Sequence, residues 1–293
     1  METPVKVSDK KIWDIIPCEA EVSRIAGGFA FTEGPVWCGD YLLFSDIRQN
    51  RIVKLQILSY GPEVTTFRNP SGNSNGLALD VSGRLIACHH SLRSITRTET
   101  DGSISVLASR YQGKRLNSPN DVVVRSDGSI YFTDPPYGLK GFTTWKELGF
   151  NGVFRFSPNG ELILLVDDFE RPNGLAFSPD ESLLYINDTG RKHIRAFDVA
   201  TDGSISNSRI FIEMQGSEQG SPDGMKVDLK GNVYCTGPGG IWIMNSEGKC
   251  LGQIVIPEIP ANLAFGGPLG KTLYITARSS IYCMPLNTSE KSV

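Results

Sequence analysis

The sequence predicts an all-β fold: a six-bladed β-propeller whose four-stranded antiparallel blades surround a central channel. Three observations carry that reading. A hairpin unit recurs six times, each copy opens on a polar residue, and successive copies lie 39 to 53 residues apart, the period of a propeller in which one repeat is one blade. The clearest copy is 117–138, N-S-P-N-D-V-V-V-R-S-D-G-S-I-Y-F-T-D-P-P-Y-G. Its β-branched run Val122-Val123-Val124 and its run Ile130-Tyr131-Phe132 suit a pleat, and Asp127-Gly128 between them supplies the positive φ of a tight turn.

In chain order, residues 1–22 form a lead-in, within which 10–16 is a short helix or the strand that closes the ring. Blade one opens at Glu33 in E-G-P-V-W, and its second run ends at Asp46. Blade two opens at Asn75 and ends at His89-His90; blade three opens at Asn120-Asp121 and ends at Asp134. The longest irregular insertion follows, 135–151. Its Tyr137, Phe142 and Trp145 give it enough apolar area to lie over a pocket, over its own blade or over a second subunit. Blade four opens at Asn173 in R-P-N-G and ends at Asp188, blade five at Asp223 in S-P-D-G and ends near Thr236, and blade six at Asn262 and ends near Arg278. Residues 287–293 read as a loose polar tail. Repetition from Glu33 to Cys283 leaves no boundary to cut, so 1–293 reads as a single domain.

Composition narrows the function classes. Hydrophobic residues make up 40% of the chain, enough to fill a core, and 31 Gly with 17 Pro fit many turns between short strands. The formal charge is −3 without a basic run, which argues against nucleic acid as a partner. No apolar run approaches the roughly 20 residues that span a bilayer, and the first residues lack the apolar stretch of a secretory signal. A cytoplasmic protein without a membrane partner is the expectation. Six cysteines without a C-x-x-C pair read as reduced thiols in that compartment.

The repeat also places the chemistry. Innermost strands line a propeller's channel, so Glu33, Asn75, Asn120, Asn173, Asp223 and Asn262 should form a ring at one mouth. The ends of the second runs (Asp46, His89, Asp134, Asp188, Thr236 and Arg278) should form an outer shell around it. Carboxylates so gathered raise one another's pKa unless a cation sits among them. Hard oxygen donors suit Ca²⁺, with Mg²⁺ or Mn²⁺ as alternatives, and the lack of a His or Cys cluster argues against structural zinc. Asn-Gly and Asp-Gly are also plain turn chemistry, and Asn75 and Asn262 need be no more than that. Asn173 and Asp223, taken singly, are balanced between the two readings. Glu33 has no turn preference and replaces Asn in register. One of His89 and His90 could face the pocket, or both could be structural. Gly72-Asn-Ser74-Asn-Gly76 matches a nucleophile motif but is followed by a strand-like run, so Ser74 is rejected as a nucleophile.

E-G-P-V-W at Glu33, S-P-N-D at Asn120, F-T-D-P-P-Y-G, R-P-N-G at Asn173 and S-P-D-G at Asp223 together resemble the gluconolactonase, regucalcin (senescence marker protein) and luciferin-regenerating-enzyme family, nearest its bacterial sugar-lactonase branch. The resemblance runs across all six blades. It implies one divalent cation on the channel axis, held by Glu33, Asn173 and Asp223. It further implies that Asn120 serves the substrate or a metal-bound water, with Asp121 beside it, and that Asp223 acts as general acid/base. Animal regucalcins carry a substrate-contacting Arg where this chain has Ser118, so that contact is not carried over unless Arg115 or Arg171 replaces it.

The resulting expectation is a metal-dependent lactonase that opens a gluconolactone-like sugar lactone to the aldonic acid. Asp223 or Asp121 would activate water, while Asn120, Ser118, His89 and Tyr137 contact the substrate. The cofactor would be one divalent cation, Ca²⁺ first, with Mg²⁺, Mn²⁺, Zn²⁺ or Fe²⁺ as alternatives. The partner would be the lactone, and a homodimer is compatible with the insertion. Two other readings stand beside it: a phosphotriester hydrolase on the same cation site, and a non-catalytic propeller that binds calcium or protein.

Overall fold

In a computed structural model, residues 3–142 and 145–290 are described; the side chain of Phe142 and the tail residues 291–293 lie outside them. The chain forms six antiparallel blades. Blade one comprises Thr32–Trp37, Tyr41–Asp46, Arg51–Leu58 and Gly61–Arg68, and blade two Ser74–Leu79, Leu85–His89, Ser94–Thr98 and Ile104–Ala108. Blade three comprises Val122–Val124, Ile130–Asp134, Gly152–Phe156 and Leu162–Val166, and blade four Pro172–Phe177, Leu183–Asp188, His193–Val199 and Ile205–Glu213. Blade five is built from Met225–Val227, Val233–Gly237, Gly240–Met244 and Cys250–Ile254, with Val5–Val7 added as a fifth strand at its outer edge.

The ring closes in blade six, where Pro260–Gly266, Thr272–Ala277 and Ser280–Pro285 are joined by Ser23–Gly27 from the other end of the chain. The segment expected to be a short helix or the closing strand takes the helical option, as a 3₁₀ helix over Lys10–Asp14. Asp9 caps it by accepting the Lys11 N–H, and Ile12, Ile15 and Ile16, spaced three and four apart, are all buried against blades five and six. That spacing suits a helical turn and not a pleat. At the other end of the chain, Leu286 is buried, the Asn287 N–H donates to Ile15 O and the Leu229 N–H to Ser289 O.

The apolar interior is divided into six clusters, one between each pair of neighbouring blades. Leu43 and Ile52 of blade one meet Leu77 and Leu85 of blade two; Ile86 and Ile95 of blade two meet Val122 and Phe132 of blade three. Tyr131 and Val153 continue to Leu175 and Leu184, and the circle ends with Ala264 and Tyr274 of blade six against Leu42 and Phe44 of blade one. Successive residues of one strand, such as Tyr131 and Phe132, therefore face opposite neighbours, which explains why the runs are apolar throughout instead of alternating with polar residues. Each such side chain contributes about 1.5–3 kcal/mol on burial, and the sum holds the inner strands around the axis.

The insertion, which joins the second and third strands of blade three, packs back onto blades two and three. Leu139 and Leu148 are buried, while Trp145 stays 70% exposed. Arg93 pins it by donating to Trp145 O, and the Arg115 N–H donates to the Glu147 carboxylate.

Candidate active site

The inner strands approach one another closely at one mouth of the channel, and glycine permits it. The Gly76 N–H donates to Asn120 O of the next blade at 2.7 Å, and the Gly174 N–H to Asp223 O at 3.0 Å. A Cβ on Gly174 would stand 2.1 Å from Asp223 O, and one on Gly76 2.5 Å from Asn120 O. The Asn-Gly pairs are thus inter-blade joints within strands, and the reading of Asn75 as simple turn chemistry is corrected: it lies inside Ser74–Leu79. Gly174→Ala should lower stability by about 2–3 kcal/mol, since backbone must move to admit the methyl group. A urea midpoint equal to that of the wild type would contradict this account of the joint.

On this frame the six opening side chains form a continuous necklace. Asn75 Nδ2 donates to Asn120 Oδ1 at 2.6 Å, and Asn120 Nδ2 to Asn173 Oδ1 at 2.6 Å. Asp223 interacts with Asn173 on one side and with Glu33 on the other, and Asn262 Nδ2 donates to Glu33 Oε2 at 3.0 Å. Glu33, Asn75, Asn120, Asn173 and Asn262 are each 3–4% exposed. All six therefore meet although nearly the whole chain separates the first from the last.

The electrostatics of the ring are dominated by burial. It pushes the Glu33 carboxyl up to about 7, with Asp121 adding to the rise, and it pushes Asp223 well above the usual carboxylate range, with Glu33 and Asp121 adding. The Glu33 carboxylate adds to the rise of Asp223, so the pair favours a proton or a cation between them. Burial raises Asp121 as well, opposed chiefly by the Lys226 ammonium. Its Oδ1 accepts the Val122 N–H, while its Oδ2 is buried without a partner among the described residues. Lys226 lines the channel together with Val36, Val123, Ala176 and Phe265, and it also faces Glu290, whose carboxyl it helps to ionise.

The outer shell serves another purpose. Asp46 accepts the backbone N–H groups of Ala30 and Phe31 and the Arg51 guanidinium. Asp134 accepts the Asn117 N–H, and Asp188 those of Glu170, Arg171, Gly190 and Arg191. These strand-end carboxylates organise the loops that enter each blade, Thr236 donates to Ala261 O, and Arg278 is exposed in a turn. Of the gathered acids, Glu33, Asp121 and Asp223 are those that interact with one another at the axis.

The other expected contacts divide. His89 is turned away: Nδ1 meets Ser71 O at 2.7 Å and Nε2 meets Thr96 Oγ1 at 2.8 Å, so both ring nitrogens are engaged within blade two. His90 takes the place at the ring instead, with Nε2 3.2 Å from Asn75 Nδ2 and 3.3 Å from Asn120 Oδ1. Burial lowers its pKa to about 4, so it is neutral near pH 7. Ser118 is fully buried; its hydroxyl donates to Pro135 O and accepts the Gly138 N–H, tying down the insertion. Tyr137 lies beside the ring, its hydroxyl pushed up to about 12 by burial and by Asp223, with Thr189, Arg171 and Asn173 opposing the rise. Ser74 begins a strand and its hydroxyl pairs with Ser45, as its rejection as a nucleophile requires. Of the two histidines, of which one was expected to face the pocket, His90 does so and not His89, because the residue after a strand end points opposite to the last one. The sequence offers no signal for Thr189 or Lys226 as ring neighbours.

The donor set suits a hard divalent cation. Glu33 and Asp223 offer carboxylates, and Asn173 an amide oxygen with a second lone pair. Among the described residues no three His, Cys, Asp or Glu side chains form a ligand set by themselves, so an ion here would take an amide as its third protein donor.

A six-bladed propeller with buried acids and amides meeting at one channel mouth defines a class of axial-site proteins. Residues 31–279 match the model of the SMP-30/Gluconolactonase/LRE-like region, and the chain belongs to that family. It is 36% identical to the gluconolactonase of Zymomonas mobilis over 91% of this chain and 82% of that protein. A solved gluconolactonase from Xanthomonas campestris superposes with a TM-score of 0.87 at 34% identity, covering 97% of this chain and 94% of the other. A luciferin-regenerating enzyme shares the fold with a TM-score of 0.78 at 20% identity, covering 93% of this chain and 98% of the other.

Proposed function

We propose that this protein is a lactonase that hydrolyses a sugar lactone, gluconolactone-like, to the aldonic acid. The observation that carries the reading is the pairing of buried Glu33 with Asp223 at the axis, continued around the ring through Asn173 and Asn120. Family membership supports it, as does the 36% identity to a gluconolactonase. Glu33, Asn173 and Asp223 would hold one divalent cation, Ca²⁺ by donor hardness, which when bound supplies a Lewis acid for the lactone carbonyl.

The residues divide the remaining work. A carboxylate, Asp223 or Asp121, takes a proton from water as its oxygen bonds to the carbonyl carbon, and returns a proton to the ring oxygen when the C–O bond breaks. Asp121 suits the base because its Oδ2 is unengaged among the described residues and Lys226 favours its ionised form. Asn120 orients the bound lactone through its amide. His90, neutral and touching Asn120, takes the role first given to His89, and Tyr137 bounds the site beside Asn173. Ser118 acts through the insertion it anchors.

Two measurements test the proposal. Turnover of glucono-1,5-lactone should exceed that of a fluorophosphate ester; the reverse order would make the protein a phosphotriester hydrolase, and turnover of neither would leave a binding propeller. Asp121→Asn should lower kcat by about 10²–10⁴-fold with cation affinity retained if Asp121 is the base. An unchanged kcat would assign that role to Asp223.

A further inference from the structure

A cleft of about 610 Å³ opens beside the axial ring, between the turn that joins the second and third strands of blade two and the insertion within blade three. It shares His90 with the ring, so one side chain separates the two. Its wall carries three cations, Arg93, Arg115 and Lys146, against one acid, Glu147. The Glu147 carboxylate already accepts the Arg115 N–H at 2.8 Å and lies 3.9 Å from Arg93 Nη1. The wall therefore keeps an excess of positive charge.

Arg93 is unusual for a surface guanidinium, being only 5% exposed. Its Nε donates to Leu116 O and its Nη1 to Trp145 O, but its buried Nη2 has no partner among the described residues. A buried donor left unmade is costly, on the order of 1–3 kcal/mol or more for a charged group, and an anionic acceptor would remove that cost. Burial also depresses Arg93 and Lys146, and Arg115 adds to the effect on Arg93. Asp134 interacts with Arg93 and Lys146 from behind the wall but does not line the cleft.

We infer that this cleft is an anion subsite of the axial site: the lactone turned over carries a phosphate or a carboxylate that docks on Arg93, Arg115 and Lys146 while its carbonyl lies at the ring. The inference rests on the lactonase reading and narrows its substrate to charged sugar lactones.

The test compares kcat/KM for glucono-1,5-lactone, for its 6-phosphate and for a lactone of glucaric acid, which carries a carboxylate in place of the 6-hydroxymethyl group. At least one charged lactone should be preferred over the neutral one by roughly 10- to 100-fold, the range of one or two charge-assisted hydrogen bonds. Which of the two is preferred tells phosphate from carboxylate. That ratio should fall about tenfold in Arg115→Ala and in Lys146→Ala; Arg93 is left intact because it pins the insertion. Neutral and charged lactones turned over alike, with the ratio unmoved in both variants, would overturn the subsite and leave the lactonase standing. Turnover of none of the three would overturn the lactonase reading, and the subsite with it.

Discussion

Asp223→Ala is expected to lower kcat for lactone hydrolysis by about 10³-fold or more while the propeller stays folded. The side chain touches Glu33 and Asn173, so its loss removes a carboxylate from the proposed cation site and one of the two candidate bases at once. The fold uses a different part of the residue. It is the Asp223 carbonyl that accepts the Gly174 N–H and the Asn187 amide, and both bonds survive truncation of the side chain. Removing one of two mutually repelling buried acids should even raise the urea midpoint of chelated protein. Parallel assays of turnover and denaturation check the point, and activity persisting in a well-folded variant would remove Asp223 from the mechanism.

Chelation is expected to destabilise the protein more at pH 8 than at pH 5. Burial, with Asp121, raises the folded-state pKa of Glu33 from 4.5 to about 7. Between those values the folded state binds more protons than the unfolded one, so stability falls as pH rises through that window. For Glu33 alone the loss is on the order of 3 kcal/mol in cation-free protein. Asp134, raised by burial from 3.8 to about 7, adds a loss of the same sign whether or not the axis is loaded. A bound cation replaces the proton on the axial acids and stabilises the folded state by mass action. The Tm difference between Ca²⁺-loaded and chelated protein should therefore widen from pH 5 to pH 8. Equal differences at both pH values, or none at either, would contradict the assignment of the axial acids to a cation.

Much of this architecture could be read from the chain because the repeat supplies its own alignment. Asn120 and Asn173 are unremarkable alone, but the same position in six copies must converge on the axis of a closed ring, and the necklace from Asn75 to Asn262 has that form. Period and turn signals likewise fix the blades, since Asp127-Gly128 falls between two apolar runs that pair in register. Side-chain direction at strand ends was less legible. Asp46 and Asp188 stand at the right mouth yet turn to backbone N–H groups of entering loops, and nothing in a strand's composition reveals a loop that arrives from the preceding segment. His89 and His90 differ by one residue and face opposite ways. The glycines were misread because a turn and a close approach of neighbouring backbones ask for the same residue; only the position of Asp223 O beside Gly174 separates the two. Ring closure by Ser23–Gly27 was obscured in the same way, its partner being Ser280–Pro285 at the far end of the chain.

The convergence of Glu33, Asn173 and Asp223 on one cation is tested most directly by crystals grown with Mn²⁺ and measured at its absorption edge. The expected result is a single anomalous peak per chain on the channel axis, within bonding distance of a Glu33 carboxylate oxygen, Asn173 Oδ1 and an Asp223 carboxylate oxygen. A peak bound elsewhere, or an axis without one at saturating Mn²⁺, would contradict it.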